Sequence, residues 1–315
     1  METEELLHDL PPLFRQYKSG RVERLAGAAA TPAPFDPATG VTSKLAVVDP
    51  ATPVFACLYL PPNPPPATSP PAAKLPLLVY FHGGGFCIES AFSDTYHPHL
   101  TALAARARLL VVSVDYRLAP EHPLPAAYDD CWAAVQWAAS SGDPWIADHA
   151  DSGRIFVAGD SAGGNIAHRV AMWAGVAGLL LDGMAAVHPY FWGSQAVGEE
   201  GREEGWRAWM DDLWRAVSGG RKGLDDAWIN PAAEREVAAR LGCRRALVCV
   251  AEEDPMRERG RAYYEMLKGS RWAGEVELVE TKGEGHVFHL ERDASGEKAE
   301  QLTAKLVEFF AGDRK

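Results

Sequence analysis

The chain has 315 residues and a formal net charge of −12, with 47% hydrophobic and 23% charged residues. That length admits one large α/β domain or two smaller ones, and the composition excludes disorder as the dominant state. The acidic balance, with no Lys/Arg cluster set against it, argues against a nucleic-acid partner and against an anionic membrane surface.

The start, Met1-Glu2-Thr3-Glu4-Glu5, is acidic where a secretion signal is basic. The longest wholly apolar-or-glycine run, Val170 to Leu181, has twelve residues, and about twenty are needed to span a bilayer. Five cysteines (Cys57, Cys87, Cys131, Cys243 and Cys249) show no CxxC spacing, so neither a disulfide framework nor a zinc site is indicated. The expectation is a reduced, cytoplasmic, soluble protein, monomer or homodimer.

Along the chain, Leu60–Pro76 is proline-rich and reads as an exposed extended connector. Leu75–Phe81 is a continuous apolar run of strand length, and Leu109–Val114 is another. A helical pattern over Leu124–Ser140 puts Leu124, Ala127, Tyr128, Cys131, Val135 and Ala138 on one face. Ile155–Ala158 and Met184–Val187 read as strands, with a helix from about Gly164 to Met172 between them. Gly198–Asp226 is charged and tryptophan-bearing, and positions 206, 209, 210, 213 and 217 within Arg202–Val217 form an apolar helical face. Strands at Ala246–Ala251 and Val276–Thr281 then alternate with helices over Arg257–Lys268 and Glu297–Phe310. Apolar strands, each followed by a helix, predict an α/β fold with a mostly parallel sheet covered on both faces.

Gly159-Asp160-Ser161-Ala162-Gly163 is a G-x-S-x-G motif between a predicted strand and a predicted helix. Such a nucleophile elbow needs glycines beside the serine because the turn is too tight for side chains there. His82-Gly83-Gly84-Gly85-Phe86 follows the earlier strand Leu75–Phe81. A turn of this kind points backbone N–H groups at the top of the sheet, with Gly84, Gly85 and Ala162 as oxyanion donors. Asp254 and His286 follow the two later strands, in the order Ser…Asp…His. Glu252 and Glu253 compete for the acid role and His289 for the base. Asp254 lies furthest past its strand, and glycines free the loop of His286. His97-Pro98-His99 lacks acidic or cysteine partners for a metal, and neither a metal nor an organic cofactor is expected.

These motifs are similar to those of plant carboxylesterases of the hormone-sensitive-lipase-like branch of the α/β-hydrolases. The matching stretches are 82–87, 113–130, 143–151, 158–168, 187–193, 248–265 and 283–290. The resemblance implies a single α/β-hydrolase domain over residues 1–315, with a helical cap from about 1–40 plus an insertion at about 191–230. It implies Ser161, Asp254 and His286 as triad and Gly84, Gly85 and Ala162 as oxyanion hole, acting on a small-molecule ester or phenolic substrate. Phe86, Trp192, Trp206, Trp209, Met210 and Val287 are the expected substrate contacts. Gibberellin receptors resemble this scaffold but lack the catalytic histidine, so His286 argues for an enzyme. Some relatives instead dehydrate 2-hydroxyisoflavanones. Glu89 stands where glycine is common in the family, at the expected site entrance.

Overall fold

Every residue of Leu75–Phe81 is buried, which requires packing on both faces of the sheet that holds it. The computed structural model supplies both layers. It describes residues 4–27, 33–200, 205–233, 235–291 and 296–312. In chain order the strands are β1 (Leu6–Leu10), β2 (Phe14–Tyr17), β3 (Val22–Arg24), β4 (Thr42–Asp49), β5 (Val54–Leu60), β6 (Leu75–Phe81), β7 (Leu110–Asp115), β8 (Ala150–Asp160), β9 (Gly183–Val187), β10 (Arg245–Ala251) and β11 (Glu275–Thr281). The helices are α1 (His97–Arg106), α2 (Ala126–Ala139), α3 (Pro144–His149), α4 (Ala162–Ala177), α5 (Trp206–Ser218), α6 (Arg235–Ala238), α7 (Arg257–Lys268) and α8 (Glu297–Ala311). No described helix is long and apolar enough to cross a membrane.

The main sheet has eight strands in the order β11-β10-β9-β8-β6-β7-β5-β4. Neighbours from β11 to β7 are parallel, whereas β5 and β4 join antiparallel at one edge. Alternate residues of β6 serve different cores, as the two-residue period of a strand requires. Leu77, Val79 and Phe81 pack with α2, α4 and α7, while Leu78 and Tyr80 pack with α1 and α8. From β6 the chain passes to β7 on one side and then returns to β8 on the other. Strand order therefore reverses beside β6, and the crevice past the carboxyl ends of β6 and β8 is where such sheets bind ligands.

The cap differs from the helical expectation in its first segment. Strands β1, β2 and β3 form a separate antiparallel sheet. Pro11 and Pro12 sit between β1 and β2, where they deny a helix its backbone donors, and Leu10 and Phe14 on either side are buried. The second segment is helical as expected, with α5 bounded by Gly205 and Gly219, both left-handed. Trp209 Nε1 donates to Pro11 O (3.1 Å), and His8 Nδ1 lies 2.9 Å from Asp212 Oδ1, so sheet and helix form one roof. Residues 1–3, 28–32 and 201–204 of the expected cap lie outside the described residues.

An ion cluster ties this roof to the body. The fully buried Glu200 carboxylate accepts from Arg259 Nη2 (2.7 Å) on α7 and from Arg207 Nη1 (3.1 Å) on α5. Removing the carboxylate leaves Arg259 buried without its counter-charge. Glu200→Ala is therefore expected to cost about 3–5 kcal/mol in unfolding free energy, read from urea denaturation, and Glu200→Gln less.

Candidate active site

β8 ends at Asp160 and α4 begins at Ala162, leaving Ser161 alone to reverse the chain. It does so at φ 51, ψ −118, a conformation costly for any residue with a side chain. Two backbone hydrogen bonds hold it there: Ser161 N donates to Val187 O, and Tyr190 N donates to Ser161 O, both at 2.9 Å. The flanking glycines are needed for contact. A Cβ on Gly163 would overlap the carbonyl oxygen of Phe81, and one on Gly159 would meet that same oxygen and the Gly163 backbone.

Ser161 Oγ lies 2.9 Å from His286 Nε2, and His286 Nδ1 lies 2.8 Å from Asp254 Oδ2. The other oxygen, Asp254 Oδ1, accepts the Met256 N–H (2.8 Å). Burial pushes the Asp254 carboxyl up, but His286, His188 and the Met256 N–H outweigh it and hold the group below its ordinary value. Burial likewise pulls His286 down, and there Asp254, with a smaller contribution from Asp160, prevails and leaves the imidazole above its ordinary value. The rival groups stand elsewhere. Glu252 accepts from Lys282 and the Gly283 N–H, Glu253 is exposed, and His289 packs edge-on against His99 and His188. Asp160 accepts from Tyr80 Oη (2.9 Å) and Tyr96 Oη (3.1 Å), and burial raises it to about 6.

The glycine turn after β6 is held by two tyrosines. Tyr116 Oη donates to His82 O (2.8 Å) while its ring stacks on His82 at 4.1 Å, and Gly83 N donates to Tyr96 Oη (2.7 Å). Gly84 has φ 89, and a Cβ there would overlap Ile88 O. Gly84 and Gly85 line the cavity at Ser161. Ala162 opens α4, where first-turn amides have no partner within the helix.

The cavity measures about 300 Å³, and Leu13, Tyr190, Trp206, Trp209, Met210, Leu213, Met256 and Val287 are among the residues that line it. Four of the six expected substrate contacts are in that set. Phe86 and Trp192 are not. Phe86, at φ 66, turns beneath the glycines and packs its fully buried ring against Tyr128 and Tyr190. Trp192 is fully buried under the cap, its Nε1 donating to Asp211 (2.8 Å). Tyr190 and Met256 were missed, although both lie just past the carboxyl end of a parallel strand, where cavity residues concentrate. Glu89 and Glu291 also line the cavity.

One group of three potential metal ligands occurs among the described residues, His188, Asp254 and His286. Two of these are already hydrogen-bonded to each other. The glycine elbow, the glycine turn and the Ser161–His286–Asp254 row at the carboxyl ends of a parallel sheet find their match in a known family. Residues 78–290 match the family model described as the alpha/beta hydrolase fold.

The chain belongs to the α/β-hydrolase fold family.

Among curated proteins, this α/β-hydrolase is 48% identical over 316 residues to tuliposide A-converting enzyme 2, chloroplastic, of Tulipa gesneriana, covering 98% of this chain and 80% of that protein. It is 44% identical over 332 residues to probable carboxylesterase 13 of Arabidopsis thaliana, covering 98% and 99%. Among solved structures, the esterase of Pyrobaculum calidifontis superimposes with a TM-score of 0.70 at 29% identity, covering 86% of this chain and 84% of that one. The α/β-hydrolase is thus an enzyme of carboxylesterase type. The cytoplasmic expectation is overturned, since the tulip relatives are chloroplastic or amyloplastic. An acidic start and the lack of a long apolar run bear on secretion and bilayer spans; an organelle address read by a receptor is not legible in either.

Proposed function

We propose that the chain is a serine esterase that works through an acyl-enzyme on Ser161. The observation that carries this reading is the unbroken row from Ser161 Oγ through both ring nitrogens of His286 to Asp254, opening into a cavity beside a glycine turn. Ser161 Oγ attacks the acyl carbon while His286 Nε2 takes its proton, and Asp254 fixes the tautomer and stabilises the imidazolium. The amides of Gly84, Gly85 and Ala162 hold the developing oxyanion. The imidazolium then protonates the departing alcohol, and a water deprotonated by His286 releases the acid. These steps need neither metal nor organic cofactor.

The substrate is an uncharged small-molecule ester. Among the described residues lining the cavity, Glu89, Asp160 and Glu291 are the charged side chains apart from His286, and none is Lys or Arg. These carboxylates would repel an anionic substrate. The apolar lining, which includes α5 residues, Leu13 and Tyr190, receives the hydrophobic part of the ester. A second reading is dehydration of a 2-hydroxyflavanone or 2-hydroxyisoflavanone, with His286 removing the proton beside the carbonyl. Trp206 and Trp209 favour it, because their rings stack at 5.3 Å and 13° and offer a flat face to a flat phenolic. Parallel assays of acyl esters, tuliposide A and hydroxyflavonoids with wild type and Ser161→Ala separate the two. Hydrolysis fails as the main activity if dehydration is faster and Ser161→Ala keeps a substantial share of it.

Ser161→Ala is expected to abolish turnover of short p-nitrophenyl esters, and a fluorophosphonate to label wild type on Ser161, read by mass spectrometry of the labelled peptide. Asp254→Asn should lower kcat by roughly 10⁴-fold, since the imidazole is then held in the wrong tautomer.

The pH profile follows from the raised His286. The base must be neutral, so kcat/KM falls as pH drops through its pKa, with a midpoint above the ordinary value of about 6.5. A flat profile between about pH 5 and 9 would remove histidine from the mechanism.

Trp206→Ala should raise KM for bulky esters far more than for acetates. Equal effects on both classes, measured by steady-state kinetics, would assign the indole to packing alone.

A further inference from the structure

His188 is the residue after β9, and the mechanism above gives it no part. It is 1% exposed and sits at φ 47, with its own N–H donating to Cys249 O at 2.8 Å. One residue past His286, Val287 also sits in the left-handed region, at φ 51. For a β-branched residue that conformation is a strained outlier, and it persists only where neighbours impose it. The neighbour here is His188, whose Nδ1 accepts the Val287 N–H at 2.9 Å. Leu290 N donates to Val287 O from the other side at 2.9 Å.

We propose that His188 is a positioning residue for His286, its Nδ1 anchoring the strained Val287 backbone and so fixing where the adjoining imidazole stands. The proposal rests on the reading of Ser161, His286 and Asp254 as the reacting groups. His286 must meet Ser161 Oγ at 2.9 Å and Asp254 Oδ2 at 2.8 Å with one rigid ring. Its two side-chain torsions can satisfy both only if the Cα–Cβ bond points correctly, and that direction is set by the backbone on either side.

Gly285 precedes His286 and imposes no preference of its own, so the constraint falls on Val287. An acceptor role requires His188 to carry its proton on Nε2 and to remain neutral. The groups around it are His286, Asp254, Phe288 and His289. Burial first, then the His286 charge, lower its pKa to about 3 against the opposing pull of Asp254. It therefore stays an acceptor when His286 takes up the proton during turnover, and it does not become a second cation competing for Asp254.

Three substitutions test this. Asn places Oδ1 where His carries Nδ1 and tolerates a left-handed backbone. Gly tolerates the backbone but offers no acceptor, and Leu keeps bulk without an acceptor. With folded fraction fixed by circular dichroism, His188→Gly and His188→Leu should lose about 10²-fold in kcat with KM little changed, the size expected of a misplacement near 1 Å. His188→Asn should recover most of that loss.

The proposal is overturned if Asn is as impaired as Gly and Leu, if the loss falls on KM, or if none of the variants loses rate. Should the Gly and Leu variants fail to fold, histidine nitrogen NMR of the wild type decides. An unprotonated Nδ1 on His188 supports the proposal, and a protonated one overturns it. Ser161→Ala run alongside keeps the outcomes apart. Activity surviving there defeats the acyl-enzyme reading, whereas a dead Ser161→Ala beside a fully active His188→Leu defeats only the role of His188.

Discussion

The carbonyl of Phe81 lies against Gly163, where an ordinary side chain would overlap it, and the site is arranged around that main-chain contact. It brings the start of α4 directly onto the end of β6. Since β8 lies next to β6 in register, with Phe81 opposite Gly159, only one residue remains to join β8 to α4, and it must adopt the strained geometry of Ser161. The residue after Phe81 opens the glycine turn, so the same approach sets Gly84 and Gly85 beside the serine. Ser161 and the glycine turn are thus placed by a single close packing of backbone, with side chains entering only to lock it through Tyr96 and Tyr116.

Charge is handled by contrast. His82, His99, His168, His188 and His289 are all buried, and burial lowers the pKa of each. His286 is only partly buried, at the cavity wall, and two carboxylates reverse the direction for it. One imidazole among several is therefore the one that can take a proton near neutral pH. The fold needs no special residue type to achieve this, only a carboxylate at 2.8 Å from the right ring.

Much of the parallel sheet was legible because most of its strands hold a continuous apolar run bounded by turns, β11 with Glu275, Glu277 and Glu280 being the exception. Leu75–Phe81 and the helix Arg257–Lys268 have the bounds the pattern predicts, and the other parallel strands differ from it only at their ends. Of the antiparallel edge, β5 is as continuous an apolar run as β6 and carries the same strand signal, so only β4 was obscure. β4 exposes alternate residues, with Leu45 and Val47 facing solvent, and such a strand carries little hydrophobic signal. The small sheet β1–β3 was missed for a different reason: its strands are three to five residues long, and its stability comes from packing on α5, which no local window reveals. The serine, acid and histidine could be chosen from spacing because each follows a predicted strand. Phe86 and Trp192 could not be placed, since aromatic side chains beside a glycine turn or a cap are as suited to the core as to a cavity.

The roof over the cavity is made from two segments nearly two hundred residues apart. Leu13 belongs to the first and Trp206, Trp209 and Leu213 to the second, and all four face the same space. The first segment contributes none of the reacting groups and adds no strand to the main sheet. Its removal would leave Ser161, His286 and Asp254 covalently in place while opening one wall to water and baring the apolar face of α5. Deleting that first segment alone would thus spare the reacting groups and change the wall that meets the substrate, because the dividing line between the two falls inside the fold rather than between domains.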